Sequence, residues 1–320
     1  RVLVAAALLL SGCGPAGVEV AADWGAASFF ALASVGDQRV VIGVDVTARR
    51  AQSLVVLPSR DDDDPVVAPS MARLNDELTV LAVPRADGRP GRVYTIDRRS
   101  AALEVVGSLE SGRALRAAGT VLASIADGHP TRVINPETWL VAREVAAVEA
   151  SGHATGSPER PVLCVASPTS SGLTGQSISL MSGAVLASLT YPATPVLALA
   201  CSPQRPVVVV GGPATRADLT AGIITVSGGD IAAALVTAAA VVVAVSNNVD
   251  TTLTVFSPDG RREVRREVLR NFPAVSALHA VQGGYLLLGH AEAAYVAPQG
   301  FDIFPLPGPL LSAPERPAPE

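Results

Sequence analysis

The sequence predicts an all-β chain folded as a β-propeller, with seven four-stranded blades. Three observations carry this. Seven short, strongly apolar runs recur 34 to 45 residues apart along the 320-residue chain. Each run is flanked by a second short apolar segment across a tight polar turn, as in LALAC-SPQR-PVVVVGG (197–212). The composition suits strands and turns: 49% apolar but only 4% aromatic, rich in valine, with 28 glycines and 25 prolines. Valine's branched side chain packs well on a pleated surface, and glycine and proline punctuate strands. A period of about 40 residues holding several strands is the pattern of propeller blades.

The runs start at Val40, Leu78, Val121, Val162, Val207, Val241 and Leu286. Each is read as the second strand, b, of a blade, with the inner strand a just before it. A loop of variable length follows, then strand c, a turn and strand d. RVYTI-DRRSA-ALEVVG, TRVI-NPETW-LVAREV and LTVF-SPDGR-REVRRE are examples of the c–d half. One interval, Val207 to Val241, is short. There Ile231 to Ala240 must hold an outer strand and the next inner strand, or else a helical turn or two, since alanine is the best helix former. That interval leaves six or eight blades open. Ring closure is also open: complete blades could meet without exchange, or Val18 to Ala22 could add an outer strand to the last blade. After Phe304 the prolines of PLPGPLLSAPERPAPE predict an extended tail over 306–320, because proline cannot donate to a strand ladder.

The chain opens on Arg1 and an unbroken apolar run, Val2–Leu10. That run is too short to span a bilayer as a helix and suits the hydrophobic part of a secretory signal. Leu10-Ser11-Gly12-Cys13 resembles the lipobox of bacterial lipoproteins, an apolar residue and two small ones before a cysteine. The resemblance implies cleavage before Cys13, a signal peptide over 1–12, lipid on the Cys13 thiol and a tether to residue 27. It implies an extracytoplasmic protein lipid-anchored to a bacterial membrane. More than one acyl chain is what makes such an anchor stable. Cys164 and Cys201 lie in apolar runs and are read either as a disulfide, which that compartment permits, or as two buried thiols.

The c–d segments resemble bacterial propeller repeats of the YVTN type, in which strand c ends on Asp or Asn and a Thr-Gly-like turn leads to strand d. Asp97, Asn135 and Thr138 match that pattern. The resemblance spans most of 28–305 and implies a seven-bladed ring.

In such blades the a–b and c–d turns share one end of the ring, and the b–c and d–a loops the other. The b–c loops are read as 84–91, 126–130, 167–176, 211–222 and 246–251, converging on the central channel. Polar loops on a rigid scaffold are where binding groups concentrate. The candidate ligand contacts are Arg85, Asp87, Arg89, His129, Arg216, Asp218, Asn247, Asn248, Asp250 and His290.

The remaining chemistry is sparse. The four histidines form no metal-binding spacing. Asp61–Asp64 is read as a solvated c–d turn in preference to a calcium site, because its carboxylates are adjacent and not alternating. No nucleophile elbow, P-loop or dinucleotide fingerprint is present. No cofactor is expected. All 24 basic residues are arginine, yet net charge is −5 with no basic block, so the electrostatic footprint of a nucleic-acid binder is missing. The expected function is a non-catalytic binding or scaffolding module for a protein or cell-envelope ligand. The alternative is a propeller enzyme of lactonase or hydrolase type with a metal in the central channel.

Overall fold

The computed structural model describes residues 27–314, apart from 59–62, 64–68, 75–77, 98–101, 127, 148–152, 158, 171, 193–195, 203 and 230. The expected signal peptide, Cys13 and Val18–Ala22 therefore lie outside the described residues. The described chain is a ring of seven four-stranded sheets, a seven-bladed β-propeller. No helix occurs among the described residues.

Blade 1 begins with β1 (Phe29–Val35), β2 (Gln38–Asp45) and β3 (Arg50–Val56). Blade 2 is β4 (Ser70–Arg73), β5 (Leu78–Val83), β6 (Gly91–Asp97) and β7 (Ala102–Leu109). Blade 3 is β8 (Ala114–Ala118), β9 (Val121–Ile125), β10 (Pro130–Ile134) and β11 (Val141–Ala147). Blade 4 is β12 (His153–Gly156), β13 (Val162–Thr169), β14 (Gly172–Ser179) and β15 (Val185–Tyr191). Blade 5 is β16 (Val196–Cys201), β17 (Pro206–Gly211), β18 (Arg216–Asp218) and β19 (Ile223–Val226). Blade 6 is β20 (Ile231–Val236), β21 (Val241–Ser246), β22 (Thr251–Phe256) and β23 (Glu263–Leu269). Blade 7 is β24 (Ala277–Val281), β25 (Gly284–Leu288), β26 (Glu292–Ala297) and β27 (Gly300–Pro305). The final strand, β28 (Leu310–Ser312), returns to blade 1.

The second strands are legible as apolar runs for a physical reason. A strand in mid-blade is covered on both faces by neighbouring blades, so every position along it is buried. Val207–Val210 and Val241–Val245 are 8% exposed or less throughout. The core is accordingly divided into slabs, one in each space between adjacent blades. Blades 7 and 1 enclose Phe29, Val40, Leu286 and Phe304; blades 6 and 7 enclose Leu253, Phe272 and Leu287. Inner strands crowd toward the axis and carry small residues, ALRAA in β8 and IAAALV in β20. At Gly156 of β12 a Cβ would sit 1.7 Å from the Ala117 carbonyl oxygen of blade 3, so only glycine fits there.

Closure differs from both expected routes. β28 pairs antiparallel with β1 through Leu32↔Ser312 and Ala33↔Leu310, and supplies the innermost strand of blade 1. The stretch expected as a tail thus contains a ring strand. Its prolines explain the misreading: Pro305, Pro307, Pro309 and Pro314 flank the strand, while Leu310–Ser312 keeps its N–H groups. The Leu310 N–H donates to the His290 carbonyl at 2.6 Å, and the Ser34 N–H to the Pro309 carbonyl at 2.8 Å.

Because blade 1 receives its inner strand from the far end of the chain, the first apolar run is out of phase with the rest. VVIGV falls in β2, the third strand, and the hairpin expected as a–b is b–c. Blade 5 explains the short interval. After β17 the chain crosses to the outer edge as β18, then returns as β19 between β17 and β18, parallel to β17. Ile231–Val236 is then simply the inner strand β20, and the helical alternative is excluded.

Candidate functional site

Strand directions assign the two ends of the ring. The b–c and d–a connections emerge at one end, the a–b and c–d connections at the other. The first end holds most of the expected contacts, but as local constructions more than as a converging set. Arg85 donates from Nε and an Nη to the two carboxylate oxygens of Asp87, at 3.1 and 2.6 Å. Asp87 also accepts from the Arg89 N–H. The Arg85 hydrogen bonds hold the Asp87 carboxyl at about 2, so this pair is charged at neutral pH. Asn247 folds its own turn, its Oδ1 accepting from the Val249 and Asp250 N–H groups. Asn248 occupies the left-handed region at φ 68°, which asparagine tolerates. Asp250 accepts from the Asn271 N–H at 2.9 Å and ties the b–c turn to the d–a connection of the same blade. His129 and His290 are exposed on blades 3 and 7.

Two of the expected loops are strands. Residues 167–176 form a hairpin in which β13 and β14 stay paired as far as Thr169↔Gly172. Residues 211–222 contain β18, so Arg216 and Asp218 lie on the outer edge of blade 5, away from the axis. Asp218 accepts from the Ala221 N–H in the β18–β19 turn.

The aspartate run also differs from expectation at its one described member. Asp63 is 9% exposed in its side chain, hydrogen-bonded to an Nη of Arg92 and 3.7 Å from Arg39. It lies on the β3–β4 connection, at the b–c end, bridging to Arg85. Two arginines flank a largely covered carboxylate where a solvated turn was expected. Asp61, Asp62 and Asp64 lie outside the described residues.

The axis itself encloses a cavity of about 350 Å³. Its wall is alanine-rich, with Arg116, His153, Thr155, Ser276 and His279 as polar groups, and Ala313 and Pro314 closing it beyond β28. None of the ten expected contacts lines it. Arg116 Nε donates to the Ala154 carbonyl at 2.8 Å, joining blades 3 and 4 across the wall. Desolvation lowers the pKa of His153, opposed by a hydrogen bond that the ring donates to the Val196 backbone. The signal for this wall was present in ALRAA, HATG and ALHAV, short alanine-bearing strands with one basic residue each. Without the ring's closure, nothing in the sequence says that these face one axis.

β28 covers only the b–c half of blade 1. The other half of the inner position is filled by a stack. Arg73 lies 5.2 Å from the Phe29 ring and donates to the Ser28 carbonyl, and His279 packs 4.4 Å from the same ring. All three are buried.

Cys164 of β13 and Cys201 of β16 are disulfide-bonded, joining blades 4 and 5 on the a–b side of the core. The c–d turn of blade 3 is built by Asn135, which accepts from the Glu137 and Trp139 N–H groups, with Thr138 accepting from the Leu140 N–H.

These features define a seven-bladed β-propeller. No family model matches the chain, and no curated protein sequence matches it significantly. Solved structures of propeller type do. The C-terminal WD40 domain of Sif2 aligns with a TM-score of 0.49 and 11% identity, over 92% of this chain and 84% of that one. The nidogen/laminin complex gives 0.46 and 9%, over 88% and 95%. TolB from Acinetobacter baumannii gives 0.42 and 13%, over 76% of this chain; the match spans about half of TolB, 51%.

Proposed function

We propose that the chain is an extracytoplasmic lipoprotein held at a bacterial membrane through lipid on Cys13, with a YVTN-type propeller acting as a non-catalytic binding module. The b–c end of the ring meets a protein or cell-envelope ligand, through groups that include the exposed Arg89, His129, Asn248 and His290. One observation carries this reading: the ring's two ends are unlike. The b–c and d–a connections gather at one end, while the described chain enters β1 at the other, with thirteen residues between Cys13 and Ala27. An anchor there leaves the loop end facing away from the bilayer. The Cys164–Cys201 disulfide supports an oxidising compartment, where such bonds persist.

The test is affinity capture of the anchored protein from its native envelope. The Arg89→Ala/His129→Ala/Asn248→Ala/His290→Ala variant, folded by circular dichroism, loses the co-purifying partner. Retention of every partner by that variant contradicts the assignment of the binding end. Palmitate labelling that is abolished by Cys13→Ala checks the anchor.

A further inference from the structure

The a–b/c–d end carries a feature the binding reading does not use. At the adjoining c–d corners of blades 3 and 4, five large apolar side chains stand in solvent: Leu140 (68% exposed), Val141 (48%), Met181 (56%), Val185 (52%) and Leu186 (52%). The two corners adjoin, since Asn135 and Pro136 of blade 3 and Leu180 and Met181 of blade 4 line one groove. Between them runs a groove of about 340 Å³ whose lining includes Val121, Val133, Leu180 and Met181, with exposed Arg143 and Glu137 at its edge. At the b–c end, by contrast, the exposed large apolar residues of the connections and adjoining inner strands are Ile231 and Val249 on blade 6 and Leu311 on blade 1. Exposed apolar side chains gathered on one part of a protein surface mark something that covers them.

The direction of the chain says what does. Ala27 and Ser28 lead into β1 from the a–b/c–d end, where the Ser28 N–H donates to the Val44 carbonyl at the foot of β2. Pro314 leaves β28 running toward that same end. The thirteen residues between Cys13 and Ala27 span at most about 50 Å when fully extended. Acylation at Cys13 therefore brings this end of the ring to the bilayer on a leash short enough to favour contact. We propose, resting on the anchor reading above, that the apolar corner of blades 3 and 4 is a membrane-contact face that seats in the headgroup–acyl boundary. The aliphatic side chains enter the interface and Arg143 meets lipid phosphate. Interfacial insertion of this kind adds to a lipid anchor and fixes orientation, leaving the b–c end outward.

The test uses full-length acylated protein in vesicles of phosphatidylethanolamine and phosphatidylglycerol. An environment-sensitive fluorophore is placed on Met181→Cys, Leu186→Cys or, at the opposite end, His290→Cys. Spin-labelled lipid is expected to quench the labels at 181 and 186 at least about twofold and to leave the label at 290 unchanged. Equal quenching at all three positions, or none at any, in protein that retains palmitate overturns the contact face while leaving the anchor standing. Self-quenching at 181 that rises with protein density, without lipid quenching, overturns it in favour of a second copy on the patch. Absence of palmitate on Cys13 removes the anchor and the contact face together. A Met181→Asp/Leu186→Asp protein that stays acylated should lose the lipid quenching of a probe at Val185→Cys, which separates seating from mere proximity.

Discussion

The two ends of this ring are made of nearly the same number of connections, yet they are built differently. At the b–c end the polar residues bind one another: Arg85 holds Asp87, Asp250 holds the Asn271 N–H, and Asp63 sits between Arg39 and Arg92. At the a–b/c–d end the turns are comparably well formed, but Leu140, Met181 and Leu186 project from them into solvent. A polar group engaged by a neighbour shapes a surface, whereas an exposed aliphatic cluster lowers the free energy only when something covers it. The lesson is that solvent-facing polarity alone does not locate an interface. Direction along the chain and apolar exposure together distinguish the ring's two ends, and the proposed anchor and binding surface rest on that difference.

The strongest way to break this division is to remove the strand that closes the ring. Ending the chain at Pro305 deletes β28, with its pairing to β1 and the covering of Leu32 and Ala33. We expect destabilisation of more than about 4 kcal/mol, the range reserved for loss of a core element. Urea unfolding of the truncated and full chains checks this.

Next in size is the disulfide. Cys201→Ala with Cys164→Ala opens a link spanning 37 residues. Chain-entropy arguments give a loss of roughly 3–4 kcal/mol. Unfolding of the wild type with and without reductant should reproduce it. If reductant leaves the midpoint unchanged while the double variant is destabilised, packing and not the covalent link is responsible.

Asp250→Ala tests the b–c end. It removes the carboxylate that accepts from the Asn271 N–H and should cost about 1–2 kcal/mol. Asn248→Gly relieves a positive φ and is expected to be neutral or slightly stabilising, by the same unfolding assay.

The smallest effect is at the channel mouth. Burial lowers the pKa of His153, so the folded state disfavours the imidazolium. The associated stability is present above the ordinary histidine value of 6.5 and is lost as pH falls through the lowered one. Unfolding midpoints should therefore drop slightly on acidification, and His153→Gln should flatten that part of the slope.

Much of the architecture was legible because mid-blade strands are buried on both faces. Val207–Val210 and Leu286–Leu288 are unbroken apolar runs for that reason, and their spacing counts the blades. What was not legible depends on contacts distant in sequence. Leu310–Ser312 is three residues among prolines, and only its pairing with Leu32 and Ala33 makes it a strand. β18 occupies an outer edge that a repeat pattern assigns to a strand arriving after β19. Arg216 and Asp218 were misplaced with it. The channel wall was missed because Arg116, His153 and His279 come from three blades and meet only on closure. Asp63 was misread because its partners, Arg39 and Arg92, stand 24 residues before it and 29 after.

Closure by the C-terminal strand underlies both the ring and the division of its ends. The most direct test is a cysteine pair at Ala33 and Leu310, opposite one another in the β1–β28 register. In the oxidised Ala33→Cys/Leu310→Cys protein, peptide mapping should find a 33–310 disulfide alongside 164–201, with the strand-rich circular dichroism retained. A folded protein whose 33 and 310 thiols both stay free, or pair with other cysteines, would contradict the account.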